Sequence, residues 1–152
     1  MSDQARVREA LERVPLLERL HPDLLSRLVD VATVAEHAAG TVLWQRGEPA
    51  SGLYFLVKGG VRIDGPDELS CEIAQGESFG DDALADDTPR STTALCDADA
   101  EVISLRRDDL EDVLFVDRDL AYELLWRLAR ALAARTRAPS EERVLLELAG
   151  RL

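Results

Sequence analysis

The chain is poor in histidine, cysteine and aromatic residues, and has no long apolar run. Its two histidines are His21 and His37, and its two cysteines are Cys71 and Cys96. The cysteines lie 25 positions apart with no Cys or His beside them, which argues against a metal site. They read as reduced thiols of a cytoplasmic protein. Both histidines fall well upstream of the hydroxyl-rich stretch, so no nucleophile–base pair presents itself and the chain does not read as an enzyme. Basic residues number 18 against 30 acidic ones, a formal charge of −12, which argues against a nucleic-acid surface. No apolar run approaches the roughly 20 residues that a membrane span requires. Ser2 to Arg13 is charged throughout, so no signal peptide is expected.

What is present is enough for a core. Hydrophobic residues make up 46% of 152, which suits one globular domain of ordinary size. Residues 3–34 read as helical. Val7, Leu11 and Val14 give one apolar face, Pro15 interrupts, and His21-Pro22-Asp23 starts a second helix with Leu24, Leu25, Leu28 and Val31 as its stripe. From Thr33 the pattern changes. Eight of the nine glycines lie between Gly40 and Gly80, the mark of short strands and tight turns. Strands are expected at Val34–His37, Thr41–Trp44, Leu53–Lys58, Val61–Asp64, Leu69–Ala74, Thr92–Asp97 and Glu101–Arg106. That spacing predicts a sandwich or barrel of jelly-roll type. Helix returns with a short segment from Arg107. A long helix follows from about Asp117 to Arg137, with a stripe of Leu120, Leu124, Leu128 and Leu132 broad enough to cover the sheets and meet a partner helix. Pro139 ends it, and Ser140 is expected to cap a last helix carrying Val144, Leu145, Leu148 and Leu152.

The stretch Phe79 to Ala94 stands apart. Gly80 allows a sharp turn or a close backbone approach. Asp81 to Leu84 can make a short helical piece, Thr88-Pro89 a turn, and Arg90 then offers a cation ahead of Ser91-Thr92-Thr93. Backbone amides, one arginine and a hydroxyl at close spacing are what a phosphate site needs. Asp81, Asp82, Asp86 and Asp87 crowd the same stretch, without the ligand alternation of a calcium loop.

Phe79, Gly80, Ala83, Leu84, Pro89, Arg90, Ser91 and Thr92 match the phosphate-binding cassette of the cyclic-nucleotide-binding domain family, which this chain resembles. Asp81 stands where that family carries glutamate. The likeness extends to Ala39–Leu43, Arg46–Ala50 and Gly52–Gly59 upstream and to Ala100–Leu105 and Leu110 downstream, about four-fifths of the chain. The resemblance implies an α+β fold: an eight-stranded β jelly-roll barrel flanked by N-terminal helices, a long C-terminal helix and a short terminal one. It divides one domain into an N-terminal helical segment (1–34), a barrel (35–106) with the cassette at 79–94, and C-terminal helices (107–152). The helix-turn-helix domain that follows in the family's transcription factors is not part of this sequence.

By the same resemblance the ligand is cAMP or cGMP, with no cofactor. Asp81 accepts from the ribose hydroxyl and Arg90 pairs with the cyclic phosphate. Gly80, Asp82, Ala83, Ser91 and Thr92 complete the cradle, and Arg135 and Thr136 are candidates for a lid over the base. The implied module is a regulatory sensor of cytoplasmic signal transduction. Binding shifts its flanking helices toward an unidentified protein effector, and helix 117–137 is a candidate homodimer element. The open alternative is a degenerate member that binds no nucleotide and serves as an interaction or dimerisation module, with Arg90 paired to Asp81 or Asp87.

Overall fold

The computed structural model describes residues 2–85 and 87–152; Met1 and Asp86, one of the acidic residues singled out above, lie outside the described residues. Helix α1 (Asp3–Glu12) starts where Ser2 Oγ accepts from the Ala5 amide at 3.2 Å. Pro15–Leu17 forms one 3₁₀ turn. Helix α2 (Pro22–Val31) is capped by His21, whose Nδ1 accepts from the Asp23 amide at 3.1 Å, so this histidine serves local structure.

The switch to strand comes at Ala32, so the last three residues of the stretch expected to be helical are already strand, because Ala32 pairs with Leu105 at the head of the β1–β8 ladder. Among the described residues eight strands follow: β1 (Ala32–His37), β2 (Val42–Trp44), β3 (Gly52–Lys58), β4 (Val61–Asp64), β5 (Ser70–Ile73), β6 (Ser78–Phe79), β7 (Thr93–Leu95) and β8 (Ala100–Arg106). They do not close into the expected barrel. They form two antiparallel four-stranded sheets, ordered β1-β8-β3-β6 and β2-β7-β4-β5. The short strand β6, absent from the sequence expectation, pairs only Tyr54 with Phe79 and Phe55 with Ser78. Two residues are too few for alternation to reveal.

Helices α3 (Arg107–Val116), α4 (Arg118–Thr136) and α5 (Ser140–Ala149) complete the chain. Asp117 caps α4 by accepting from the Leu120 amide at 3.0 Å. Ser140 does not cap α5. Pro139 holds that position and Ser140 is already helical. Pro139 has no N–H of its own to satisfy there.

Two cores share the first sheet. On one face Leu53, Phe55, Ile103 and Leu105 pack with Val7, Leu11, Leu28, Leu120 and Leu124 of the helices. On the other, Leu56 and Val102 meet Val61, Ile63, Ala94 and Cys96 of the second sheet. Period-two alternation along β3 and β8 assigns consecutive residues to different cores. The leucine stripe of α4 is therefore spent largely inside the molecule: Leu120 and Leu124 are buried and Leu128 packs on the same cluster. The apolar surface left outside on α4 is Tyr122, Leu125, Trp126 and Leu132, 40–68% exposed. No helix among the described residues is long and apolar enough to cross a membrane.

Candidate functional site: the cassette between β6 and β7

Gly80 turns the chain out of β6 with φ +73°, a conformation that disfavours any side chain. A Cβ there would come within 3.0 Å of Arg90 Nη1 and 3.1 Å of the Trp44 ring. A single 3₁₀ turn follows, Asp81–Leu84, with Ala83 fully buried beneath it.

Arg90 is buried, at 6% exposure. The Gly47–Pro49 turn fixes its backbone: Arg90 N donates to Glu48 O and Gly47 N donates to Arg90 O, both at 2.8 Å. Its guanidinium lies 4.0 Å over the Trp44 ring. Nη1 donates to Gly80 O and to Asp82 Oδ1, each at 3.1 Å, and Nη2 donates to Gly52 O. Arg90 Nε is buried without a hydrogen-bond partner among the described residues. Burial lowers the arginine's pKa, opposed by the neighbouring Asp82, Tyr54 and Asp81. The ring that carries it is itself held: Trp44 Nε1 donates to Thr92 Oγ1 at 3.2 Å, and Trp44, Tyr54 and Phe79 make three ring contacts with centroids 5.4–5.8 Å apart.

The acidic residues divide into different roles. Asp82, not Asp81 or Asp87, carries the ion pair with Arg90. Asp87 pairs with Arg107 at 2.6 Å. Asp81 is 2% exposed; its Oδ2 accepts from Ser78 Oγ at 3.0 Å, while its Oδ1 is buried with no partner among the described residues. Desolvation pushes its pKa up to about 7, despite the Ser78 hydrogen bond and the Arg151 charge. Asp81 lines a small cavity with Arg13, Gly76, Ser78 and Arg151. Ser91 is exposed, and Thr92 is buried under Trp44. Burial also raises both cysteine thiols, Cys71 and Cys96, so neither is a thiolate at neutral pH.

The candidate lid residues sit elsewhere. Arg135 lines a cleft with Pro15, Arg127, Ala131 and Leu146, and Thr136 Oγ1 donates to Ala133 O within its own helix. What reaches the cassette is the end of α5. Gly80 N donates to Ala149 O at 2.9 Å and Asp82 N to Gly150 O at 2.8 Å. Arg151 Nε donates to Ser78 O at 3.0 Å, and its Nη2 pairs with Glu77. The sequence reading missed this. A glycine after an amphipathic run announces a helix end, but nothing in it says where that end docks.

The cyclic nucleotide-binding domain model matches residues 34–117, more than half of the chain and all of the cassette. The chain belongs to the cyclic nucleotide-binding domain family. A cAMP-dependent protein kinase regulatory subunit from Aspergillus fumigatus is 31% identical over 109 residues, 68% of this chain and 26% of that protein. A CRP-like cAMP-activated global transcriptional regulator from Mycobacterium tuberculosis is 25% identical over 149 residues, covering 95% of this chain and 66% of that one. Among solved structures, the N-terminal domain of a transcriptional regulator from Streptomyces coelicolor superposes with a TM-score of 0.73 at 28% identity, over 86% of this chain and 97% of that domain. This cyclic nucleotide-binding domain thus spans about a quarter of the kinase regulatory subunit that it matches. Among its described residues no group of His, Cys, Asp and Glu is arranged to hold a metal ion.

Proposed function

We propose that the chain is a cyclic-nucleotide sensor whose cassette takes the cyclic phosphate of cAMP, with cGMP as the competing ligand. The observation that carries this reading is Arg90. A buried cation is costly unless it is paired. Here it is held by a backbone turn, two carbonyls and an aromatic face, and it still keeps one buried N–H without a partner among the described residues. A monoanionic cyclic phosphate supplies the missing acceptor and competes with Asp82, whose side chain is 45% exposed, for the same guanidinium. The amides of Gly80, Asp82 and Ala83 and the hydroxyls of Ser91 and Thr92 flank that position in sequence. Asp81 is the residue offered to the ribose.

The output is binding and signalling rather than catalysis, within a cytoplasmic regulator. Helices α1 and α2 on one side and α3 to α5 on the other act as arms of the sandwich, and ligand binding moves them relative to the cassette. Such a switch needs the ligand to prefer one arrangement of the arms. The arms address a second copy of the chain through Tyr122, Leu125 and Trp126 of α4, or a protein effector. Support for α4 as the contact is its exposed aromatic seam, since Tyr122 and Trp126 already touch edge to face at 6.4 Å.

Calorimetric titration with cAMP and cGMP tests the reading. Arg90→Lys keeps the charge but loses the fork, and is expected to weaken nucleotide affinity at least tenfold. Affinity unchanged by that substitution would put the ligand elsewhere. Absence of binding both by the native chain and by a variant carrying a side chain at position 150 would refute the nucleotide itself.

A further inference from the structure

Helix α5 ends in an unusual place. Its last carbonyls have to be satisfied by something. The Leu146 and Glu147 oxygens are taken by the turn itself: Arg151 N donates to Leu146 O at 2.8 Å and Gly150 N to Glu147 O at 3.1 Å, with Gly150 at φ +67°. The carbonyls of Ala149 and Gly150, at the very end of the turn, accept from the Gly80 and Asp82 amides. The negative end of a helix dipole thus rests on amides that flank Arg90.

The fit is close on every side. Leu148 and Ala149 are buried in the core between the sheets, at 7% and 4% exposure. Gly65 leaves the room that Leu148 fills, since a Cβ there would lie 2.3 Å from Leu148 Cδ1. A Cβ on Gly150 would lie 2.8 Å from Asp82 Oδ1 and 3.2 Å from Gly80 Cα, so residue 150 must be bare for the backbone to come this near. Arg151 clamps the turn through Ser78 O and Glu77.

We infer that residues 148–151 are a built-in occupant of the cassette, which an anionic ligand must displace before it can use the Gly80 and Asp82 amides. The inference rests on the nucleotide reading above and adds its regulation. The domain is self-capped by its own helix α5. Ligand entry and departure of α5 are two sides of one exchange, so α5 is the arm that reports occupancy. Ligand affinity then reflects a contest with the tail as well as the contacts to the ligand.

The test uses the 152-residue chain and two variants. Gly150→Val breaks the close approach to Asp82 and Gly80. Arg151→Ala removes the clamp alone and is the milder change. Amide hydrogen exchange at Gly80 and Asp82, read by NMR, follows the tail directly, and calorimetry with cAMP follows the contest. Faster exchange at both amides with a gain in cAMP affinity of at least tenfold in Gly150→Val, and a smaller gain in Arg151→Ala, is the expected result. Unaltered exchange in both variants would overturn the contact. Faster exchange with an unaltered, measurable cAMP affinity would overturn the competition. Faster exchange without cAMP binding in any form would remove the nucleotide reading and the competition with it, leaving the tail contact itself demonstrated.

Discussion

Replacing Asp81 with asparagine is expected to change how stability depends on pH. Asp81 is buried, one of its oxygens accepts from Ser78 and the other has no partner among the described residues. Its pKa rises from 3.8 to about 7 on folding, chiefly by desolvation. A carboxyl whose pKa is raised in the native state holds its proton longer there than in the unfolded chain. Its contribution is therefore at its best below the ordinary carboxylate range. It falls as pH climbs, and levels off once the native group has also ionised near neutrality. Roughly three units at about 1.4 kcal/mol each set a ceiling of a few kcal/mol on the loss. Asparagine keeps the shape and stays neutral throughout. Urea unfolding between about pH 4.5 and about pH 7.5 should thus show the native chain losing stability relative to Asp81→Asn, by on the order of a few kcal/mol across the window. The other carboxylates titrate in both proteins and cancel in the difference. Parallel stability curves would refute the reasoning, since they would mean that Asp81 is solvated or paired in the folded state.

Two further outcomes follow from the packing. Gly65→Ala drives a methyl into Leu148 and should lower the unfolding free energy by about 1–3 kcal/mol; combined with Leu148→Ala, the two losses measured by urea unfolding should sum to less than their separate values, because the second change empties the space that the first one needs. Leu125→Glu, at a side chain 68% exposed, should leave thermal unfolding within about 0.5 kcal/mol of the native chain while lowering the mass seen by light scattering; an unchanged mass would count against α4 as a contact between copies.

The parts of the molecule readable from the sequence are those set by local chemistry. The helix from residue 3, the helix start at Pro22, the strand segments and the glycine-led cassette all announce themselves through apolar periodicity, proline placement and turn residues. The resemblance pointed to Arg90, and the structure holds Arg90 as a buried, positioned cation. What stayed hidden depends on contacts distant in sequence. Trp44 sits under Arg90 although 46 positions separate them. The pairing of Arg90 with Asp82 instead of Asp81 follows from the 3₁₀ turn, which buries Asp81 against Ser78 and leaves the half-exposed Asp82 beside the guanidinium, and composition carries no trace of that. The leucine stripe of α4 was legible as apolar, but its division into a buried side and an exposed Tyr122–Trp126 side follows from how the helix lies against the Pro15–Leu17 turn and α3.

The division of β3 between two cores has an evolutionary reading. Leu53 and Phe55 belong to the helices and Leu56 to the facing sheet, while Tyr54 joins the aromatic cluster beside the cassette. Any one of these can be exchanged for another apolar residue at modest cost. Losing or gaining one residue in the strand would send every side chain beyond that point to the opposite face, emptying both interiors together. Lineages of this domain should therefore drift freely in the spelling of β3 and hardly at all in its length.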